Sequence, residues 1–138
     1  MKDANCIFCK IISGEIPCEK VYEDVDTFAF LDMKPVNPGH TLIVPKEHYA
    51  NIYEVPDQLI SKMMSDVKKL GHALKDALGV ENANIIMNNG KEAGQTVFHA
   101  HMHFIPRHDG DGHKDLWHGR PYEDGEGKII SEKIKNAL

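Results

Sequence analysis

The chain has no surplus of positive charge and no long apolar run. Its 16 Lys and Arg against 21 Asp and Glu leave a formal net charge of −5, which gives no general attraction to the phosphates of nucleic acid or anionic lipid. Long nucleic acid and membrane are therefore not expected partners. No run of about 18 apolar residues occurs, and Met1-Lys2-Asp3-Ala4-Asn5-Cys6 lacks the apolar stretch of a signal peptide, so a cytoplasmic location is expected. Cysteine is also scarce. Cys6, Cys9 and Cys18 cannot all pair within one chain, which argues against a disulfide scaffold and leaves free thiols or metal ligation. What is plentiful is histidine: nine in 138 residues, with His99, His101, His103 and His108 packed close together.

Length and a hydrophobic fraction of 41% fit one soluble globular domain. Cys6 to Ser13 reads as a short helix in preference to a buried strand, ended either way by Gly14 and Pro17. Lys20–Asp24 and Thr27–Asp32 read as a hairpin, and His40–Pro45 as a third, nearly all-apolar strand. Leu59, Met63, Val67, Leu70, Leu74 and Leu78 recur at helical spacing between Pro56 and Gly79. Asn84–Asn88 and Val97–Pro106 are further strand candidates, separated by a polar loop holding Gly90 and Gly94. The order strand, strand, strand, helix, strand, strand predicts an α+β fold on an antiparallel sheet of about five strands, with one long helix and a short N-terminal helix. Beyond Arg107, Trp117 and Tyr122 are the main aromatic anchors, and Ile129–Ile134 predicts a short terminal helix. The expected division is a domain over 1–107 and an extension over 108–138 packed on it.

Side chains alternate along a strand, so His99, His101 and His103 are expected on one face, spaced by about 6.5–7 Å, with Ala100, Met102 and Phe104 on the other. A metal site and imidazole catalysis both suit such a row. Residues i and i+4 lie about 13 Å apart, so three such histidines cannot share one zinc through bonds of about 2.0–2.1 Å. At least one is left for other chemistry. A neutral imidazole whose tautomer is fixed by a hydrogen bond is a competent nucleophile toward phosphorus, and a neighbouring imidazole can donate a proton to the leaving group. The preceding loop offers backbone N–H groups at Gly90 and Gly94, with Gln95 and Thr96 as side-chain donors to an anion.

Gly94-Gln95-Thr96-Val97-Phe98-His99-Ala100-His101-Met102-His103-Phe104-Ile105 resembles the signature of the histidine triad (HIT) family, in which three histidines alternate with apolar residues. The likeness extends upstream through Phe8-Cys9-Lys10-Ile11-Ile12, Phe30-Leu31-Asp32 and Pro38-Gly39-His40-Thr41 to His48. It implies a HIT-like fold and a nucleotide hydrolase or transferase acting at the α-phosphorus of a purine nucleotide through a nucleotidyl-histidine intermediate. Carried over by this resemblance, the catalytic residues are His101 as nucleophile, His103 at the phosphate or leaving group, and His40 completing the site. Asp32 matches the residue that binds the ribose hydroxyls. Phe8, Ile11, Phe30 and Met33 match the base pocket, although apolar residues such as Phe8, Ile11 and Phe30 are more often plain core than ligand wall. Asn88, Gln95 and Thr96 match the phosphate-holding positions. Hint-like members of the family act on nucleoside phosphoramidates and Fhit-like members on dinucleoside polyphosphates, and this chain resembles both. The resemblance also implies a homodimer. A slow-turnover nucleotide-binding or zinc-binding scaffold is the alternative.

Cys6 and Cys9 have Cys-x₂-Cys spacing, which taken alone is more often that of two packed thiols than of a metal site. Members of the family with this pair carry a zinc completed by two histidines, which match His48 and His99 here. The expectation is one structural zinc per chain on Cys6, Cys9, His48 and His99, with no catalytic metal.

Overall fold

A computed structural model describes residues 2–112 and 119–138; Trp117 lies outside them. The sheet has five antiparallel strands, β1 (Lys20–Glu23), β2 (Thr27–Leu31), β3 (Thr41–Pro45), β4 (Asn82–Ile86) and β5 (Met102–Arg107), in the order β1-β2-β3-β5-β4. Among the described residues three α-helices accompany it: α1 (Ile7–Ile12), α2 (Asp57–Leu78) and α3 (Glu126–Ala137). This is the expected α+β architecture.

The apolar runs of β2 and β3 are buried along their whole length because the sheet is covered on both faces. Ala29, Leu31, Ile43, Met102 and Phe104 point toward Met63, Val67, Leu70 and Leu74 of α2 and Ile130 and Ile134 of α3. Phe28, Phe30, Leu42 and Val44 point the other way and pack with Phe8, Cys9 and Ile11 of α1. The period-four stripe read in the sequence is thus the sheet-facing side of α2. That helix stops at Gly79, whose φ of 67° lets its N–H close on the Lys75 carbonyl.

Three boundaries differ from expectation. The terminal helix is longer than Ile129–Ile134, running twelve residues from Glu126 to Ala137, with Ile130 and Ile134 buried against the α2 core. β4 is displaced two residues toward the N-terminus, its pairing with β5 ending at Ile86 opposite His103. β5 begins only at Met102, so of the three histidines His103 alone lies on a strand; the amide of Ala100 bonds the Tyr49 carbonyl at 2.7 Å, off the sheet ladder. Ala100 nonetheless joins Met102 and Phe104 in the α2-side core, so the alternation persists although the strand does not.

Candidate active site

Leaving the ladder at residue 101 lets the histidines diverge. His99, fully buried, donates from Nε2 to the Pro45 carbonyl at 2.8 Å, so the Nδ1 lone pair faces the thiols of α1. Nδ1 lies 3.4 Å from Cys6 Sγ and 3.6 Å from Cys9 Sγ, and His48 Nδ1 lies 3.5 Å from Cys9 Sγ. A tetrahedral ion with bonds of about 2.3 Å to sulfur and about 2.0–2.1 Å to nitrogen sets S and N about 3.5 Å apart, so the four residues fit a zinc ion. Outer contacts agree: the amides of Asp3 and Cys9 point at the sulfurs of Cys9 and Cys6, and Asp3 Oδ2 stands 4.0 Å from His48 Nε2. Burial raises the Cys9 thiol and lowers His99 to about 4, which leaves His99 neutral and able to ligate.

His101 turns the other way. Its Nδ1–H donates to the His99 carbonyl at 2.6 Å, which leaves the lone pair on Nε2, and burial lowers its pKa. Its ring stands edge-on to Phe8 at 5.1 Å between centroids and 5.0 Å from the ring of His103. His40, at the entry to β3, accepts the Val36 N–H on Nδ1 at 3.1 Å, so its proton resides on Nε2, 2.9 Å from His103 Nδ1. His103 then carries its own proton on Nε2. Burial depresses His40 to about 4 and, together with the neighbouring imidazoles, His103 to about 3, so both are neutral near pH 7. Asp32 Oδ2 is 3.7 Å from His40 Nε2, and Oδ1 accepts from the Lys34 amide.

The fold brings together His40, His101, His103 and Asp32, with Phe8 against His101. Phe8, Ile11 and Phe30 are buried among one another and Leu42, whereas Met33 is 64% exposed. A cavity of about 340 Å³ opens beside Asp32 and Met33. Thr96 is exposed near the α1 end, and Asn88 lies behind Gly94. Gln95 is buried, and both ends of its amide are engaged: Oε1 accepts from Gly90 N–H, and Nε2 donates to the carbonyls of Ala50 and Val97. It shapes the loop ahead of the histidines. The main-chain groups of Val36, Pro45 and Tyr49 went unread in the sequence, and no side-chain pattern signals them.

The HIT domain family model matches residues 13–110. The chain is 46% identical over 137 residues to "Protein hit" of Bacillus subtilis, covering 97% of this chain and 94% of that one. It is 39% identical over 135 residues to the adenosine 5'-monophosphoramidase hnt1 of Schizosaccharomyces pombe, covering 97% and 98%. A zinc-bound histidine triad family protein from Mycobacterium smegmatis superposes with a TM-score of 0.85 at 32% identity, covering 96% of this chain and 92% of that one. The chain belongs to the HIT domain family.

Proposed function

We propose that this protein is a nucleotide hydrolase acting at the α-phosphorus of purine nucleoside phosphoramidates, with dinucleoside polyphosphates as the second substrate class. The observation that carries the reading is the 2.6 Å bond from His101 Nδ1 to the His99 carbonyl, which presents a neutral Nε2 lone pair in a buried site. His101 Nε2 attacks phosphorus, the bond to the amine or phosphate leaving group breaks, and a nucleotidyl-histidine forms; water then displaces His101 and releases the nucleoside monophosphate. His103 donates from Nε2 to phosphate or leaving group, and His40 holds His103 in that tautomer. Asp32 accepts from the ribose hydroxyls, and Phe8, Ile11, Phe30 and Met33 wall the base. Asn88, Thr96 and the loop that Gln95 closes hold the phosphate. The likeness to a monophosphoramidase along nearly the whole chain favours the phosphoramidate.

Zinc on Cys6, Cys9, His48 and His99 would be structural, since four protein ligands close its shell. Residues 1–107 are assigned to the catalytic domain and 108–138 to an extension packed on it. A homodimer is proposed through the face where α2 meets the edge strand β4, an apolar groove that exposes Met64 and Ile85. The cytoplasm is proposed as its location, since there Cys6, Cys9 and Cys18 stay reduced.

Incubation with adenosine 5′-phosphoramidate and with diadenosine polyphosphates tests the reading, with AMP release expected from the first. His101→Asn should still bind AMP and lose at least about 10³-fold in turnover. Near-normal turnover by that variant would remove His101 from the role.

A further inference from the structure

Gly119 and Tyr122 lie beyond the 13–110 stretch that defines the family, yet both press on the segment leading into His40. A Cβ on Gly119 would stand 2.2 Å from the Lys34 carbonyl oxygen and 2.4 Å from that of Pro35, so the tail backbone lies flat on this peptide with no room for a side chain. Three residues on, the Tyr122 hydroxyl oxygen accepts the Gly39 N–H at 3.1 Å. Gly39 is also backed by α2: at a φ of 92°, its Cβ would meet Leu74 Cδ2 at 2.8 Å. Between these two pins sits the Val36 amide that donates to His40 Nδ1, and the His40 amide bonds the Asn37 carbonyl at 3.0 Å.

We infer that the C-terminal segment is a positioning element for the reacting histidines: Gly119 and Tyr122 hold residues 34–39 so that the Val36 N–H fixes the His40 tautomer that gives its Nε2 proton to His103. The physical reason is that an imidazole has no strong tautomer preference of its own, and the hydrogen bond at one nitrogen decides what the other can do. With Val36 in place, the alternative tautomer would set two N–H groups head to head. With that segment displaced, the constraint is lost and the direction of the His40–His103 hydrogen bond is no longer fixed. Both residues are positioning residues, because neither touches the nitrogen that attacks. The inference rests on the proposed role of His40 and His103 in turnover.

Tyr122→Phe keeps the ring and removes the acceptor, and Gly119→Ala lifts the tail. Nitrogen-15 NMR of the histidine side chains reads the tautomers directly, with His40 signals identified by their loss in His40→Gln. The parent should show His40 protonated at Nε2 and bare at Nδ1. Both variants should shift or broaden the His40 and His103 signals and leave those of His99 and His101 in place. On adenosine 5′-phosphoramidate, kcat should fall about tenfold with KM within about twofold. Unmoved His40 and His103 signals, or a parent His40 protonated at Nδ1, would overturn the inference. If Gly119→Ala does not fold, Tyr122→Phe decides alone. Were every form inactive on nucleotides, the enzymatic reading would fail while the NMR comparison still decided the positioning role.

Discussion

Three of the imidazoles are each set by one main-chain group, His99 by the Pro45 carbonyl, His101 by the His99 carbonyl and His40 by the Val36 amide, and His40 in turn sets His103. The histidines themselves were legible, because three alternating with apolar residues is a rare pattern with a chemical reason. Their partners were not, since any residue type supplies a carbonyl or an amide and Pro45 is 54 positions from His99. Burial of His40 and His103 has a measurable consequence. Their folded pKa values of about 4 and about 3 lie below the unfolded value of about 6.5. Their contribution is therefore complete above pH 6.5 or so. As pH falls toward 4 the unfolded chain takes up protons that the folded one refuses, and each such site costs about 1.4 kcal/mol per pH unit. Urea melts at pH 7.5, 6 and 5 should show stability falling with acidity, and His40→Gln should flatten that fall. Both proteins keep the cysteine–histidine cluster and His103, so equal slopes would mean that His40 does not carry the effect.

At the scale of elements, α2 was the clearest reading and β5 the least accurate. The helix repeats its apolar residues over 22 positions, so errors in any one do not matter. The histidine segment has strand-like alternation without strand pairing, because alternation needs only an extended backbone, whereas pairing needs a neighbour, and Ala100 finds Tyr49 instead. The polar anchor of α2 was also illegible. Buried Asp66 accepts from Thr27 Oγ1 at 2.7 Å and pairs with Lys62, which also holds Asp24. Burial alone would raise Asp24, yet hydrogen bonds from Lys62 and from the Thr27 and Asp26 amides hold it well below the usual carboxylate range. Asp66→Ala should cost about 2 kcal/mol, less than a fully buried pair because Lys62 can reach water. Denaturant unfolding measures it, and phosphoramidate turnover should stay within about twofold, since Asp66 lies across the sheet from His101. A loss below about 0.5 kcal/mol would show that the network contributes little beyond surface ion pairs.

At the scale of the whole molecule, the cysteine–histidine cluster ties α1 to two distant segments, those around residues 48 and 99. Protein purified without chelator should carry about one zinc per chain, and Cys6→Ser with Cys9→Ser should lose it and melt at lower temperature, because metal binding is coupled to folding. A metal-free parent of unchanged stability would reduce the cluster to packed thiols. The α2–β4 face gives a second test. Met64→Lys with Ile85→Lys should convert a dimer to a monomer in sedimentation experiments, and a parent that is already monomeric at micromolar concentration would remove the dimer from the proposal. By itself the sequence determined the α+β class, the long helix, the nearly all-apolar third strand and the identity of the histidines, because each is written in local periodicity or in residue type. Only the tertiary structure decided which main-chain group sets each histidine's tautomer, and that the tail presses on the approach to His40. Those choices depend on where distant backbone groups come to rest, and a carbonyl or an amide leaves no mark in the side-chain code.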